Sequence, residues 1–232
     1  MLARSPMKVS IVVPIYNEEE LLEKVLERLR ALPLDLELIL VDDHSTDGTP
    51  EILAREARKP GTRVLCHDRN QGKGRAIRTG LEHATGDIVI IQDADLEYRP
   101  EEIVDVLRPI QEGRTNVAYG SRFRGRVIGM RFANRMANHI LAWLVTILYF
   151  QRITDEATAY KAFRREVAQA IPLTCRRFEF CPEVTAKVLR RGEKIIEVPV
   201  TYVARTFEEG KKIGWRDFLV AVWTLLKYRF VR

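Results

Sequence analysis

Residues 86–97 read Gly86-Asp87-Ile88-Val89-Ile90-Ile91-Gln92-Asp93-Ala94-Asp95-Leu96-Glu97, and the rest of the chain is organised around this segment. A polar turn precedes four consecutive β-branched apolar residues, and a short run of this kind is typical of a strand buried on both faces. Asp93 and Asp95 follow almost directly. The strand therefore delivers two carboxylates to its carboxyl end, which is where ligands bind in open α/β sheets.

The two carboxylates indicate a metal–diphosphate site. Adjacent negative charges repel each other, and a bound divalent cation removes that repulsion. Oxygen ligands suit Mg²⁺ or Mn²⁺, and Mg²⁺ commonly takes one or two carboxylates and completes its shell with substrate phosphates. The alternative interpretation of Asp93 and Asp95 is an Asp-rich turn after a core strand.

Three further segments in the first half carry polar residues at the ends of predicted elements. Pro14-Ile15-Tyr16-Asn17-Glu18 and Val41-Asp42-Asp43 each lie at the end of an apolar run, and Asn70-Gln71-Gly72-Lys73-Gly74-Arg75-Ala76 opens a helix. Apolar residues at helical spacing predict a helix over residues 18–31, with Asn17 as its N-cap. Val117–Ser121 is predicted as a further strand. The alternation of strands and helices predicts an α/β fold with a mostly parallel sheet and right-handed crossovers.

In this order and spacing, the segments resemble the nucleotide-sugar half of family 2 glycosyltransferases, and in particular the dolichol-phosphate mannosyltransferase group. The resemblance covers nearly the whole chain. It implies the GT-A fold, a Rossmann-like central sheet flanked by helices, with amphipathic membrane-facing helices in the C-terminal half. We expect one domain over residues 1–232, with a nucleotide-sugar half at 1–112 and an acceptor and membrane-interface half at 113–232.

The resemblance implies a set of donor-binding residues. Pro14, Tyr16 and Glu18 would wrap the base and ribose, Asp43 would accept a hydrogen bond from a base N–H, and Val41 would line the base pocket. The full nucleotide-sugar set that it implies is Pro14, Tyr16, Glu18, Val41, Asp43, Lys73, Asp93, Ala94, Asp95 and Arg122. Each segment also has a plainer interpretation as a strand-to-helix turn, a capping turn or a loop.

Individual side chains in this set carry specific chemistry. A lysine flanked by glycines at a helix start can approach a phosphate closely, which is the role expected of Lys73. Arg122 lies in a segment similar to the family's Gly-Ser-Arg element and would contact the diphosphate or the donor sugar. Glu97 is expected as a third metal contact beside Asp93 and Asp95.

The second half of the chain supplies the residues expected at the acceptor. Arg135 lies in a segment that resembles the family's acceptor-side motif and would face the acceptor phosphate. Arg205 and Lys211 lie six residues apart in a loop that contains a glycine, and they could close on a phosphate, although a solvated basic loop is the alternative. The catalytic set that the resemblance implies is Asp93, Asp95, Arg205 and Lys211.

The reaction that the resemblance implies is inverting transfer of a hexose, mannose from GDP-mannose, to a polyprenyl (dolichyl) phosphate, with Mg²⁺ or Mn²⁺ as cofactor. A phosphate monoester is largely dianionic at neutral pH, so it needs no strong general base to attack the sugar. A saccharide hydroxyl would instead need a carboxylate or His base, and the sequence offers no clearly placed candidate beyond Asp155 and Glu97. Three alternatives stay open: a soluble family 2 glycosyltransferase that acts on a saccharide hydroxyl, a UDP-glucose-dependent polyprenyl-phosphate glucosyltransferase, and a non-catalytic membrane-associated subunit.

The charge of the chain is divided unevenly. Residues 1–112 carry 15 Lys and Arg and 22 Asp and Glu, a net charge of −7, whereas residues 113–232 carry 23 and 10, a net charge of +13. The basic half indicates an anionic partner such as phosphate groups or a membrane surface. No nucleic-acid-binding motif accompanies it, so no nucleic acid is expected. Three cysteines without metal-ligand spacing favour a reducing compartment, the cytoplasm.

Two apolar segments in the second half predict contact with a membrane surface. Residues 140–150 are apolar except for Thr146, and the segment could pack in the core or lie in the membrane interface. Residues 215–231 predict a basic amphipathic helix. No apolar run reaches the roughly 18 residues needed to span a bilayer, and the N-terminus lacks a signal-peptide pattern. We therefore expect peripheral attachment to the cytoplasmic face, with the need for an anchoring subunit left open.

Overall fold

The structure is a computed structural model that describes residues 7–204 and 214–231. Its strands, in chain order, are β1 (Val9–Ile15), β2 (Leu36–Asp42), β3 (Thr62–Cys66), β4 (Ile88–Ile91), β5 (Val117–Ile128), β6 (Lys161–Arg164) and β7 (Ile195–Val203). They form one seven-stranded sheet in the order β3-β2-β1-β4-β6-β5-β7. Only β6 runs antiparallel to its neighbours, β4 and β5. The prediction of a mostly parallel sheet is therefore confirmed.

Helices connect and cover the strands. They are α1 (Leu22–Arg30), α2 (Thr49–Glu56), α3 (Lys73–His83), α4 (Ile103–Gln111), α5 (Phe132–Tyr149), α6 (Arg165–Ala170), α7 (Phe180–Arg190) and α8 (Trp215–Phe230). A short 3-10 turn at Pro100–Glu102 precedes α4.

Hydrophobic packing on both faces of the sheet explains the continuous apolar runs of the central strands. Alternate residues of a strand point to opposite faces. Val89 and Ile91 pack into a cluster with side chains of α3, α5, α7 and α8, whereas Ile88 and Ile90 pack into a second cluster with side chains of α1, α2 and α4. Every residue of β4 is buried. A strand covered on both sides has no solvent-facing positions, so its sequence shows no polar alternation.

The register of the parallel strands determines where the polar turns lie. Ile15 of β1 is paired with Asp42 of β2, and Val12 of β1 is paired with Ile91 of β4. The carboxyl ends of the three strands therefore meet at one edge of the sheet. The polar segments that follow them in the sequence come together at that edge.

The structure differs from two of the sequence-based boundaries. The helix predicted from residue 18 begins at Leu22, and Asn17 does not cap it, because Asn17 has a left-handed backbone (φ 54°) and its side-chain oxygen accepts from the backbone N of Thr46 at 2.8 Å. Strand β5 continues to Ile128, well beyond the segment expected at residues 117–121, because it pairs with β7 along this length across an irregularity after Ser121.

Helices α5 and α8 pack against each other and against the core. The hydroxyl of Tyr149 donates a hydrogen bond to the backbone oxygen of Leu225 at 2.6 Å. One side of α5 is buried through Leu141, Ala142 and Val145. The two helices also expose large apolar side chains: Phe132, Met136, Ile140, Trp143 and Ile147 from α5, and Trp215, Leu219, Val220, Trp223 and Phe230 from α8. Residues 140–150 thus have both a core side and an exposed apolar side.

None of the helices in the part of the chain described here combines the length and hydrophobicity that crossing a bilayer requires.

Candidate functional site

A cavity of about 1010 Å³ lies at the edge of the sheet where the carboxyl ends of β1, β2 and β4 meet. Ten of the residues predicted from the sequence line it: Pro14, Tyr16, Glu18, Asp43, Lys73, Asp93, Ala94, Asp95, Glu97 and Arg122. They come from loops far apart in the sequence. The fold therefore gathers them at one site.

The loop after β1 is held in position by the loop after β2. The backbone N of Asn17 donates to the hydroxyl of Ser45 at 2.9 Å, and the backbone N of Glu18 donates to the hydroxyl of Thr49 at 3.0 Å. These bonds fix the turn that presents Tyr16 and Glu18 to the cavity. One wall of the cavity is consequently preorganised without a ligand.

Asp43 joins β2 to the start of α3. Its carboxylate accepts hydrogen bonds from the backbone N of Gln71 at 2.8 Å and of Gly72 at 2.7 Å, and it also bonds Nδ1 of His67 at 2.7 Å. The carboxylate lines the cavity while it organises the loop before Lys73. Val41, by contrast, is fully buried in the core and is not among the residues that line the cavity.

The glycines on either side of Lys73 have a packing role. A Cβ added to Gly72 or to Gly74 would collide with the backbone of Arg176 and Arg177, and Gly72 also has a left-handed backbone (φ 93°). Glycine permits both the backbone conformation and this close approach. The loop before α7 can thereby close over the start of α3, beside the cavity.

Lys73 and Asp93 form an ion pair across the cavity. The Nζ atom of Lys73 lies 2.7 Å from Oδ1 of Asp93, with about a third of the lysine side chain exposed. Burial alone would lower the pKa of Lys73, but the charge of Asp93 and its hydrogen bond raise that pKa above the usual value. The ammonium group is therefore charged at neutral pH and faces the region where a diphosphate is expected.

Asp95 is half-buried, and its Oδ1 accepts a hydrogen bond from the backbone N of Glu97 at 3.0 Å. Within residues 7–204 and 214–231, no three His, Cys, Asp or Glu side chains are grouped to hold a metal ion. Glu97 as a third metal contact thus stays a prediction. Asp93 and Asp95 offer oxygen donors that fit Mg²⁺ or Mn²⁺, provided that substrate phosphates complete the coordination shell.

Arg122 is engaged with a buried carboxylate. Its Nε and one terminal nitrogen donate to the two oxygens of Asp155 at 2.7 and 2.6 Å, and the same terminal nitrogen donates to Oδ1 of Asn138 at 3.1 Å. Burial would lower the pKa of Arg122, but the charge of Asp155 holds it well above the usual value. The guanidinium borders the cavity but is oriented by Asp155, which is completely buried.

The predicted acceptor residues are less closely connected to the cavity. Arg135 is exposed on α5 and does not line the cavity, although its neighbours Asn134 and Asn138 do. Arg205 and Lys211 lie outside the described residues. Their expected roles at the acceptor phosphate therefore stay predictions.

Glu156, which was not singled out from the sequence, also lines the cavity. It directly follows Asp155 in the sequence. An acidic residue next to a candidate carboxylate is the signal in the sequence that points to it. Its complete burial becomes visible only in the structure.

Comparison with known proteins places the chain in a family. The model of glycosyl transferase family 2 matches residues 10–171. An undecaprenyl-phosphate 4-deoxy-4-formamido-L-arabinose transferase of Photorhabdus laumondii is 34% identical over 217 residues, which are 88% of this chain and 62% of the relative. A dolichol-phosphate mannosyltransferase of Pyrococcus furiosus is 30% identical over 230 residues, 96% of this chain and 64% of the relative. The chain thus spans just under two thirds of the length of these relatives.

Solved structures share the fold. Glucosyl-3-phosphoglycerate synthase from Mycobacterium tuberculosis, crystallised with Mn²⁺, UDP and phosphoglyceric acid, superposes with a TM-score of 0.74 at 21% identity, covering 97% of this chain and 80% of that one. S. aureus TarS 1–349 in complex with UDP-GlcNAc gives a TM-score of 0.67 at 18% identity, covering 97% and 68%. The GT-A fold is therefore confirmed. With a family model over most of its length and relatives at 30–34% identity, the chain belongs to glycosyl transferase family 2.

Proposed function

We propose that this glycosyltransferase moves a hexose, with inversion, from a nucleoside-diphosphate sugar to a polyprenyl phosphate. The observation that carries the proposal is one cavity that brings together Tyr16, Lys73, Asp93 and Asp95 in a chain whose curated relatives are named for transfer to dolichol phosphate or undecaprenyl phosphate. Those relatives differ in the sugar that they are named for. GDP-mannose is the first donor to test, and UDP-glucose is the second.

The first half of the chain, residues 1–112, would hold the donor. Tyr16 offers an aromatic face for the base, and Glu18 offers an acceptor for ribose hydroxyls. Lys73 would provide a charge-assisted hydrogen bond to a phosphate oxygen, because its ammonium already faces Asp93 at 2.7 Å. Preorganised charges of this kind stabilise a leaving diphosphate without reorganisation during the reaction.

A divalent cation would be held by Asp93 and Asp95. When bound, Mg²⁺ or Mn²⁺ neutralises the charge that develops on the leaving diphosphate. The carboxylates lie at the end of β4, where every strand residue is buried, so their positions are supported by the core.

The environment of Asp155 removes one of the candidate general bases for a saccharide hydroxyl. A hydroxyl needs a general base, and Asp155 and Glu97 were the carboxylates that the sequence offered for this role. Both oxygens of Asp155 are bonded to Arg122, and the residue is fully buried, so its carboxylate serves as a structural anion. A phosphate dianion needs orientation rather than deprotonation, and Arg135, Arg205 and Lys211 are proposed to orient it.

The second half, residues 113–232, is proposed to rest on a membrane surface at the cytoplasmic face. Apolar side chains such as Trp143 and Trp223 are exposed on α5 and α8, and exposed groups of this size mark interaction surfaces. The net charge of +13 in this half would favour anionic lipids. Lipid is the occupant we favour, because a polyprenyl phosphate is itself held in a bilayer.

A donor screen tests the proposed function. Radiolabelled GDP-mannose, UDP-glucose and UDP-GlcNAc would each be incubated with a short polyprenyl phosphate and Mg²⁺ or Mn²⁺, and lipid-linked label would be measured. The matched control replaces the acceptor by the corresponding free polyprenol. Label in the phosphate reaction alone supports the proposal. Equal rates with the free alcohol would instead indicate a hydroxyl-directed enzyme.

A further inference from the structure

A buried carboxyl group in the cavity wall has no hydrogen-bond partner in the described structure. Glu156 is 0% exposed, yet it lines the cavity, and neither of its side-chain oxygens has a partner among the described residues. An unsatisfied buried polar group destabilises the folded protein, because it loses its hydrogen bonds to water. Such a group is therefore a candidate for contact with a ligand.

The nearest polar groups are already committed elsewhere. The hydroxyl of Thr185 is near enough to lower the pKa of Glu156, but it bonds the hydroxyl of Tyr119 at 3.1 Å and makes no well-oriented bond to the carboxyl. The Nζ atom of Lys161 donates to the backbone oxygen of Glu156 at 2.6 Å and lies 3.8 Å from the centre of the Tyr119 ring. Burial, with the charge of Lys161 opposing it, raises the pKa of Glu156.

Glu156 lines the same cavity as Lys73 and Asp93, where the diphosphate is expected. Burial raises the pKa of the Cys181 thiol to about 11, and the charges of Lys161, Glu156, Lys73 and Asp93 all act on that thiol. Cys181 lines this cavity, together with Ala157 and Ala159. A substrate group attached to the diphosphate could reach the carboxyl group of Glu156.

We propose that Glu156 hydrogen-bonds a hydroxyl group of the transferred sugar and helps to determine which sugar the enzyme accepts. The inference rests on the proposed function, because the sugar is the part of the donor joined to the diphosphate. A sugar hydroxyl can donate a hydrogen bond to a carboxyl oxygen, so Glu156 offers it a partner. A site that bonds a substrate hydroxyl discriminates strongly against sugars that lack it, since its own polar group is then left unpaired.

The test compares two substitutions at Glu156 with a matched control. Glu156→Leu removes the polar atoms, whereas Glu156→Gln keeps a neutral group that can donate and accept. Glu183→Gln is the control, because Glu183 is equally buried but its carboxylate is bonded to Thr174, Cys175 and Lys187 and does not line the cavity. Calorimetry with Mn²⁺ would measure dissociation constants for GDP-mannose, UDP-glucose, GDP and UDP, and thermal unfolding would be recorded for each variant.

We expect Glu156→Leu to weaken binding of the nucleotide sugar by about 10–100-fold and to leave binding of the matching nucleoside diphosphate unchanged. Its unfolding temperature should be equal to or above that of the wild type, because an unsatisfied buried group is removed. Glu156→Gln should weaken binding less. Glu183→Gln should lower the unfolding temperature and weaken sugar and diphosphate binding in the same proportion.

Two results would overturn the inference while the proposed function stands. If the wild type transfers sugar and Glu156→Leu binds the nucleotide sugar as tightly as the wild type does, Glu156 does not contact the sugar. If Glu156→Leu is destabilised and Glu156→Gln binds sugar and diphosphate with unchanged affinity, the role of the carboxyl is structural. If the wild type binds none of the nucleotide sugars, the proposed function itself fails, and the inference fails with it.

Discussion

The Nζ atom of Lys73 lies 2.7 Å from Oδ1 of Asp93. This contact joins the first turn of α3 to the end of β4. It places the positive charge of Lys73 beside the carboxylate that was predicted to bind a metal ion. An incoming diphosphate would share the ammonium group with Asp93. The pair therefore preorganises positive charge at the place where the leaving group is expected.

Replacing Lys73 by methionine should weaken binding of the nucleotide sugar and of the nucleoside diphosphate alike. A charge-assisted hydrogen bond contributes about 1.5–3 kcal/mol, so we expect dissociation constants to rise by roughly 10–100-fold in calorimetry. Lys8→Met is the matched control, because Lys8 forms a comparable ion pair with Glu37 at 2.8 Å away from the cavity. Equal affinity in the wild type and in Lys73→Met would argue against a phosphate contact.

Replacing Asp95 by alanine should abolish transfer without unfolding the protein. Asp95 is half-buried at the end of β4, and its proposed role is to hold the cation at the diphosphate. We expect at least about a 100-fold loss of turnover, comparable with the loss of other groups that stabilise transition-state charge. EDTA should reproduce this loss in the wild type, and added Mn²⁺ should reverse it.

The surface variant Asp105→Asn is the control for that experiment, because Asp105 is an exposed residue of α4 paired with Arg108. Full activity of the wild type in excess EDTA, or near-normal turnover of Asp95→Ala, would remove the metal from the proposed mechanism.

The features that could be predicted from the sequence are those encoded locally. The buried strand β4 and the two aspartates after it lie within one short segment. The continuous apolar run and the carboxylates that follow it could therefore be recognised together. The parallel order of the first strands followed from alternating apolar runs and helices. These local signals also predicted most of the cavity wall.

The features that could not be predicted depend on partners distant in sequence. Arg122 borders the cavity as expected for a donor contact, but the bond of its guanidinium to Asp155, 33 residues later, could not be predicted from its own segment. The role of Val41 at the base stays a prediction, and its complete burial on β2 was not evident from its segment either. Strand β6 lies antiparallel between β4 and β5, and no pattern in its own sequence indicates this position or direction. Burial of Glu156 has the same origin, since the groups that act on it include Arg122 of β5, Lys161 of β6 and Thr185 of α7, which are separate elements.

Breaking the Arg122–Asp155 pair should destabilise the fold. Asp155 is fully buried and holds Arg122 through both carboxylate oxygens, so Asp155→Asn would leave a buried guanidinium without its counter-charge. We expect a loss of about 3–5 kcal/mol in the free energy of unfolding, measured by urea denaturation. Glu101→Gln, which breaks the exposed pair with Arg28, should cost no more than about 1 kcal/mol. Similar losses in both variants would contradict this assignment.

Glu37 should give the protein a specific acid sensitivity. Burial alone would raise the pKa of Glu37, but hydrogen bonds from Lys8, Ser10 and Thr85 lower it to about 2. A carboxylate with a lowered pKa contributes stability that is complete above its unfolded pKa, near 4.5, and is lost as the pH falls toward 2. Wild-type unfolding free energy should therefore fall over this window, with a contribution from Glu37 on the order of 2 kcal/mol.

The check on Glu37 is urea denaturation at pH 6 and pH 3. The difference between the wild type and Glu37→Gln should be large at pH 6 and should shrink at pH 3. Glu51→Gln, at an exposed position of α2, should show the same small difference at both values. A difference between the wild type and Glu37→Gln that does not change with pH would contradict the role assigned to the charge.

The exposed tryptophans of α5 and α8 should contribute to binding at a membrane surface. Trp143 and Trp223 are 64% and 65% exposed, although the two helices are otherwise anchored in the core. If this surface rests on lipid, each indole that enters the bilayer interface contributes about 2 kcal/mol. The double variant Trp143→Ser/Trp223→Ser should then lose at least roughly 100-fold in affinity for vesicles containing an anionic lipid, measured by cosedimentation. Its affinity for the nucleotide sugar should not change.

Ile128→Ser, at an exposed strand position on β5, is the control and should bind vesicles nearly as the wild type does. Raising the salt to 1 M, where the Debye length is about 3 Å, should weaken wild-type binding, because the basic half would no longer be attracted to the anionic surface. Vesicle binding that responds neither to the tryptophan substitutions nor to salt would mean that the exposed side chains of α5 and α8 do not contact lipid.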